Sequence, residues 1–288
     1  MTVLEHVGAA ASRLVAVGLP MRLAVIDAEV LARHVLGWSR ATYLSDRRDL
    51  PPEAFGRRYG ELLARRERRE PVSLITGQVE FWGLNFEVTP DVLTPRPETE
   101  LLMEEGISLV GRCATPRSHV VDVGTGSGCL AVSLAYELSD VRVTATDISE
   151  AALNVARRNA ARHGVAHRIA WINTAFLDGI RMTADLLLAN LPYVAEGDLK
   201  GLPPEVRDFE PREALVAGSD GLELIAGLLS RSGDQLVPGG HLIIEFGTGQ
   251  APALQSLVAL HRRLELVRVR QDVQGIPRAA VIRCVPDV

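Results

Sequence analysis

The spacing of hydrophobic and polar residues changes twice along the chain. From residue 1 to about 70 the apolar positions recur at helical intervals. Ile26, Val30, Leu31 and Val35 fall on one predicted helix, Gly37 stops it, and Pro51-Pro52 separates it from the next. No residue in this stretch has an obvious chemical task, so residues 1–70 read as a small helical domain that recognises a substrate. Residues 71–97, PVSLITGQVEFWGLNFEVTPDVLTPRP, carry β-formers interrupted by Gly77, Gly83 and Pro90. That pattern predicts a hairpin followed by a constrained loop, joining two domains. A helix is predicted next, at ETELLMEEGISLV.

Beyond residue 118, short apolar runs alternate with helical periodicity. SHVVDVG reads as a buried strand, GCLAVSLAYEL as a helix and VRVTATD as a second strand. Ser149 is placed to cap a helix that runs to Gly164. RIAWIN, ADLLLANLP, GGHLIIEFG and AVIRCV supply further strands. Such alternation predicts an α/β fold for residues 98–288, with a parallel Rossmann-like sheet and helices on both faces.

Composition narrows this only slightly. The 288 residues are 47% hydrophobic and 23% charged, ordinary values for a globular protein. A net charge of −5 argues against a nucleic-acid coat protein, and no direct nucleic-acid binding is expected. Arg65, Arg66, Arg68 and Arg69 form one basic cluster, but Glu61, Glu67 and Glu70 balance it, so it reads as a solvated helix face. No apolar run is long enough to span a bilayer, and no basic segment precedes an apolar stretch at the N-terminus. A cytoplasmic protein is therefore expected. Cys113, Cys129 and Cys284 fit no zinc or redox spacing and read as reduced, buried small residues. His34, His119, His163 and His241 are scattered, and no metal site is expected.

Three motifs carry candidate chemistry. Gly124-Thr125-Gly126-Ser127-Gly128 follows a strand, and glycines there let the backbone approach a ligand closely. Taken alone this loop serves many ligands, although the absence of a following Gly-Lys-Ser/Thr excludes a P-loop. Asp147 ends the next strand, 23 residues after Gly124, where a carboxylate can accept from both hydroxyls of a ribose; its alternative role is a helix cap. Asn190-Leu191-Pro192-Tyr193 follows the apolar strand ADLLLA. An Asn side-chain carbonyl and the Leu191 backbone carbonyl make two acceptors for a planar NH2 group, with Tyr193 free to lie against its face. The alternative is an ordinary Asn turn with a core tyrosine.

The order of glycine loop, acidic strand end and Asn-x-Pro-Tyr is similar to that of amino-group methyltransferases. Nearly end to end, the chain resembles the HemK-type protein-(glutamine-N5) methyltransferases, which act on class I peptide-chain release factors. The resemblance runs through IDAEVLARHVLGWSR, EPVSLITGQVEFWGLNFEVTPDVLTPRPETE, VVDVGTGSG, TDIS with ALNVARRNA, NLPYV, FEPREALVAGSDGLELI and GGHLIIEFG. It implies S-adenosylmethionine as cofactor, with Gly124 to Gly128 around its methionine and ribose and Asp147 on the ribose. It implies that Asn190 and Leu191 grip the amide of a glutamine in a Gly-Gly-Gln motif, with Tyr193 packed on it, and that the N-terminal helices dock the release factor.

Two departures from the family pattern stand out. Leu191 replaces the first proline of the usual Asn-Pro-Pro-Tyr, which keeps a carbonyl but loses a fixed φ. Thr174 and Ala175 stand where an acidic residue and an aromatic usually help hold the adenine. These leave a second acceptor class open: another planar amine or amide, such as a ribosomal-protein glutamine or a small metabolite.

Overall fold

Small side chains let the first two long helices lie close together. In the computed structural model, which describes residues 1–111 and 118–286, the chain divides into two compact units. The first comprises Met1–Gln78 and Pro203–Phe209. It holds α1 (Val3–Ala16), α2 (Met21–Leu36), α3 (Arg40–Asp46), α4 (Phe55–Glu67) and α5 (Val72–Thr76). Thr2 opens α1 with a capping box: its hydroxyl accepts from the Glu5 amide, and the Glu5 carboxylate accepts from the Thr2 amide. Gly37, at φ +67°, closes α2 as the sequence predicts.

The buried face of α2 differs from the predicted one. Ala24, Ala28, Leu31 and Ala32 are buried, whereas Ile26 is exposed and Val30 and Val35 are half-buried. Alanines let α1 and α4 approach closely, and the Tyr59 hydroxyl donates to the Ala28 carbonyl at 2.9 Å. Nor is the arginine cluster uniformly solvated. Arg66 is buried, with Nε donating to Asp27 and Nη2 to Glu205, while Arg69 makes a two-pronged pair with Glu205. Arg65 pairs with Glu70, which leaves Arg68 as the exposed member.

The predicted hairpin forms from β1 (Gln78–Phe81) and β2 (Leu84–Glu87). Its two turn residues, Trp82 and Gly83, have φ of +52° and +69°, the mirror-image turn that matches strand twist. The Trp82 amide donates to Glu100, at the start of α6 (Glu100–Val110).

The second unit is built on a seven-stranded sheet. It contains β3 (His119–Val123), α7 (Cys129–Glu137), β4 (Arg142–Asp147), α8 (Glu150–Arg162), β5 (Ile169–Asn173) and β6 (Ala184–Ala189). The segment Pro203–Phe209, with its short α9 (Pro204–Arg207), belongs to the first unit. Then follow α10 (Glu223–Gln235), β7 (Leu236–Glu245), α11 (Ala251–Ala259), β8 (Leu264–Gln271) and β9 (Pro277–Cys284). The strand order is β5-β4-β3-β6-β7-β9-β8.

Alternate residues of each central strand feed two separate cores. Val120, Leu186, Leu188 and Ile243 face α6 and α7, while Val121, Leu187, Leu242 and Ile244 face α10 and α11. Near-continuous apolar runs are what a strand covered on both faces requires. Cys129 and Cys284 are free and buried; Cys113 lies outside the described residues.

At one edge the sheet departs from the predicted parallel arrangement. β9 lies antiparallel between β7 and β8, and β8 is a strand the sequence pattern does not announce. The connection between β8 and β9 is a tight turn in which Asp272 accepts from the amides of Gln274 and Ile276. So short a link cannot hold a crossover helix and therefore enforces antiparallel pairing.

Candidate active site

The chain leaves β3 toward β4 and β5, then crosses back to place β6 on the other side of β3. In open α/β sheets, ligands bind at such a reversal, beyond the carboxyl ends of the strands. The three sequence motifs follow those ends: the glycine loop after β3, Asp147 at the end of β4, and Asn190 after β6. Together they line one cavity of about 570 Å³ within the second unit.

The glycine loop is shaped by backbone conformations that favour glycine. Gly124, Gly126 and Gly128 all have positive φ. A Cβ on Gly124 would lie 2.9 Å from Leu191 Cδ2, and one on Gly128 would lie 2.9 Å from Ala156 Cβ. Gly126 has open space around it, and its amide donates to Asp147 Oδ2 at 2.9 Å. The other Asp147 oxygen accepts from the Ser149 amide, while Ser149 itself caps α8. Asp147 thus ties the loop to the start of α8 while also lining the cavity. Burial raises its pKa, against the pull of those backbone amides.

Asp122, the last acid before the loop, is a residue to which the sequence reading assigned no role. Its Oδ2 accepts from Thr125 Oγ1 at 2.6 Å and from the Ala131 amide at 3.1 Å. Its Oδ1 is buried with no hydrogen-bond partner among the described residues, and the side chain borders the cavity. Burial, aided by the nearby Asp147 charge, pushes its carboxyl up to about 6. An unmatched buried carboxylate oxygen beside a ligand cavity suits a cationic group.

Thr174 and Ala175 also line the cavity, as does Ile148, an exposed apolar residue next to Asp147. An aromatic does border this end, displaced by one residue. Phe176, at φ +51°, lines the cavity and packs against Gly227, with the Arg231 guanidinium 5.0 Å from its ring centre. The Thr146 hydroxyl donates to the Phe176 carbonyl and holds this turn.

Beside the glycine loop, Asn190, Leu191 and Pro192 also line the cavity. Leu191 is buried, with its side chain over Gly124 and among the α10 and α11 core. Asn190 Nδ2 donates to Thr99 Oγ1 at 3.0 Å. Thr99 in turn donates to the buried Glu245, which also accepts from the Tyr193 hydroxyl at 3.4 Å. The Tyr193 carbonyl accepts from Gln250 Nε2 at 2.9 Å, pinning the end of the loop. Of the predicted site residues, Gly128 and Tyr193 fall just outside the cavity lining; the others are brought together along it. Thr99, Glu245 and Gln250 lie in separate segments, and only the lone acid in the apolar run LIIEF hinted at one of them.

The cavity is therefore lined by an unmatched carboxylate, a glycine loop, a second carboxylate, the apolar Ile148, Ala175 and Phe176, and the Asn190-Leu191-Pro192 segment. Comparison with known proteins shows the family. Residues 7–77 match the family model described as the PrmC N-terminal domain, and residues 100–201 match the methyltransferase small domain. A release factor glutamine methyltransferase of Burkholderia pseudomallei is 43% identical, covering 90% of this chain and 91% of its own. One from Cereibacter sphaeroides is 39% identical, covering 98% and 99%. Among solved structures, the hMettl16 catalytic domain has a similar fold, with a TM-score of 0.58 at 18% identity over 79% of this chain and 83% of its own. Fold and site together define an α/β methyltransferase. The chain belongs to the release factor glutamine methyltransferase family. No helix among the described residues is long and apolar enough to cross a membrane.

Proposed function

We propose that the protein methylates the side-chain amide nitrogen of a glutamine, in the Gly-Gly-Gln motif of a class I peptide-chain release factor, using S-adenosylmethionine. The observation that carries this reading is that Asp122, Asp147, Asn190 and Leu191 line one cavity. The names of relatives about 40% identical over most of the chain support the acceptor.

The residues present fit the cofactor's chemistry. Asp122 Oδ1 suits the ammonium of its methionine part, Gly124 to Ser127 its backbone-hugging middle, and Asp147 its ribose hydroxyls. Ile148, Thr174, Ala175 and Phe176 form a shelf for the adenine. When bound, S-adenosylmethionine supplies an electrophilic methyl on sulfonium sulfur. The protein's task is then to orient a weak nucleophile, since an amide lone pair is delocalised into its carbonyl. Asn190 Oδ1 and the Leu191 carbonyl each accept one N–H of the glutamine amide, which fixes its plane and favours the positive charge that develops on nitrogen. Leu191 preserves this acceptor without proline's fixed φ, because its side chain is held in the core beneath the loop.

The helical first unit serves as the docking element for the release factor in this reading, and a translation factor as substrate places the reaction in the cytoplasm. Substituting the motif glutamine of the release factor by alanine is expected to abolish label transfer from S-adenosylmethionine. Equal labelling of both forms would reject the proposed acceptor.

A further inference from the structure

Behind Asn190 the buried polar groups form a hydrogen-bond chain with a direction. Glu245, at the end of β7, is 2% exposed. Its Oε2 accepts from Thr99 Oγ1 at 2.7 Å and its Oε1 from the Tyr193 hydroxyl at the longer 3.4 Å. A carboxylate only accepts, so Thr99 commits its single proton to Glu245. What Thr99 presents to Asn190 is a lone pair, and Asn190 fills it with Nδ2 at 3.0 Å. Turning the amide over would set two acceptor oxygens against each other at this distance, and the buried Thr99 oxygen would lose its donor. Burial raises the Glu245 carboxyl to about 7. The direction of the chain therefore holds while Glu245 is ionised.

We infer that Thr99 and Glu245 are positioning residues that hold the Asn190 amide one way round, so that the cavity is offered a carbonyl acceptor and never an NH2 donor. This rests on the reading of Asn190 as acceptor for the substrate amide and extends it. The same polarity makes the site selective: a side-chain amide can donate to Asn190, while a carboxylate in its place meets an acceptor. Thr99 reaches Asn190 across 91 residues and Glu245 across 146, so the relay is a product of the fold.

The test compares full-length wild type, Asn190→Ala, Thr99→Val and Thr99→Ser in steady-state transfer of labelled methyl to a purified class I release factor. Circular dichroism checks the fold, and calorimetry gives each Kd for S-adenosylmethionine. Expected are losses in kcat of about 100-fold for Asn190→Ala and about tenfold for Thr99→Val, with Thr99→Ser near wild type. Cofactor Kd is expected to stay within about threefold throughout, since none of these side chains faces the charged end of the cofactor. Thr99→Val at wild-type kcat, or Thr99→Ser as slow as Thr99→Val, overturns the relay and leaves the Asn190 assignment standing. Asn190→Ala at wild-type rate overturns that assignment and the relay with it, and a wild type that transfers no label overturns both together with the proposed substrate. If Thr99→Val does not fold, Glu245→Gln, whose amide can turn the chain of donors around, takes its place: a tenfold loss supports the relay and wild-type kcat overturns it.

Discussion

Asp122 is the residue whose burial has the clearest consequence. Its carboxyl is raised to about 6 from an ordinary value of 3.8, mainly because it has been taken out of water. As pH falls through 6 the native protein takes up a proton that the unfolded chain accepts only near 4. Protonation therefore stabilises the empty fold toward low pH, by at most about 3 kcal/mol. A cationic ligand reverses the preference, because it needs the ionised form. Affinity for S-adenosylmethionine is expected to drop about tenfold between pH 7 and pH 5, and to lose that dependence in Asp122→Asn. An unchanged slope in the variant would show that another group titrates. Asp147 has two structural duties besides lining the cavity, accepting from Gly126 and from Ser149. Asp147→Ala is expected to weaken cofactor binding by at least about tenfold in calorimetry, the scale of a charge-assisted hydrogen bond. Unaltered affinity would reduce it to a tie between loop and helix.

At the scale of elements, the loop between β3 and α7 depends on glycine for two separate reasons. Gly128 starts α7 at φ +81°, and a Cβ there would lie 2.9 Å from Ala156 Cβ and 3.2 Å from its Cα on α8. Gly128→Ala is expected to cost about 3 kcal/mol, combining left-handed strain with overpacking. Urea unfolding measures it, and a midpoint equal to wild type would mean that α7 and α8 separate without penalty. This loop was legible in the sequence because positive φ, tight turns and ligand approach all call for the same residue type. Asp147 and Asn190 were legible as positions too, since one ends a predicted strand and the other directly follows one. β8 was not: Glu265, Arg268 and Arg270 give an edge strand the polarity of a surface segment, because one side of it has no neighbouring strand. The buried face of α2 was also misread, as alanines carry little hydrophobic signal yet permit the closest helix packing. Phe176 escaped for another reason. Its left-handed backbone lets an aromatic one position late still border the cavity, which spacing alone does not show.

The whole molecule depends on contacts between segments far apart in the chain, and these are what sequence patterns hide most completely. In the first unit, Glu205 arrives from a separate segment to meet Arg66 and Arg69, 139 and 136 residues away. Burial alone would raise the Glu205 pKa, but the two guanidinium groups outweigh it and hold it below the usual carboxylate value. Glu205→Ala leaves the buried Arg66 with Asp27 as its one acidic partner among the described residues. A loss of about 3 kcal/mol is expected in thermal or urea unfolding, the scale of breaking a buried pair by removing one member. Unchanged unfolding would mean that Arg66 is satisfied by Asp27 alone. In the second unit, the Asn190, Thr99 and Glu245 chain has the same origin in distant segments, and it backs the residue on which the proposed chemistry turns. In the proposed function, this cavity methylates a glutamine amide. Mass spectrometry of a purified class I release factor, after incubation with the protein and S-adenosylmethionine, tests it directly. A single added methyl on the glutamine of the Gly-Gly-Gln peptide is the expected result; an unmodified peptide, with cofactor binding intact, would contradict it.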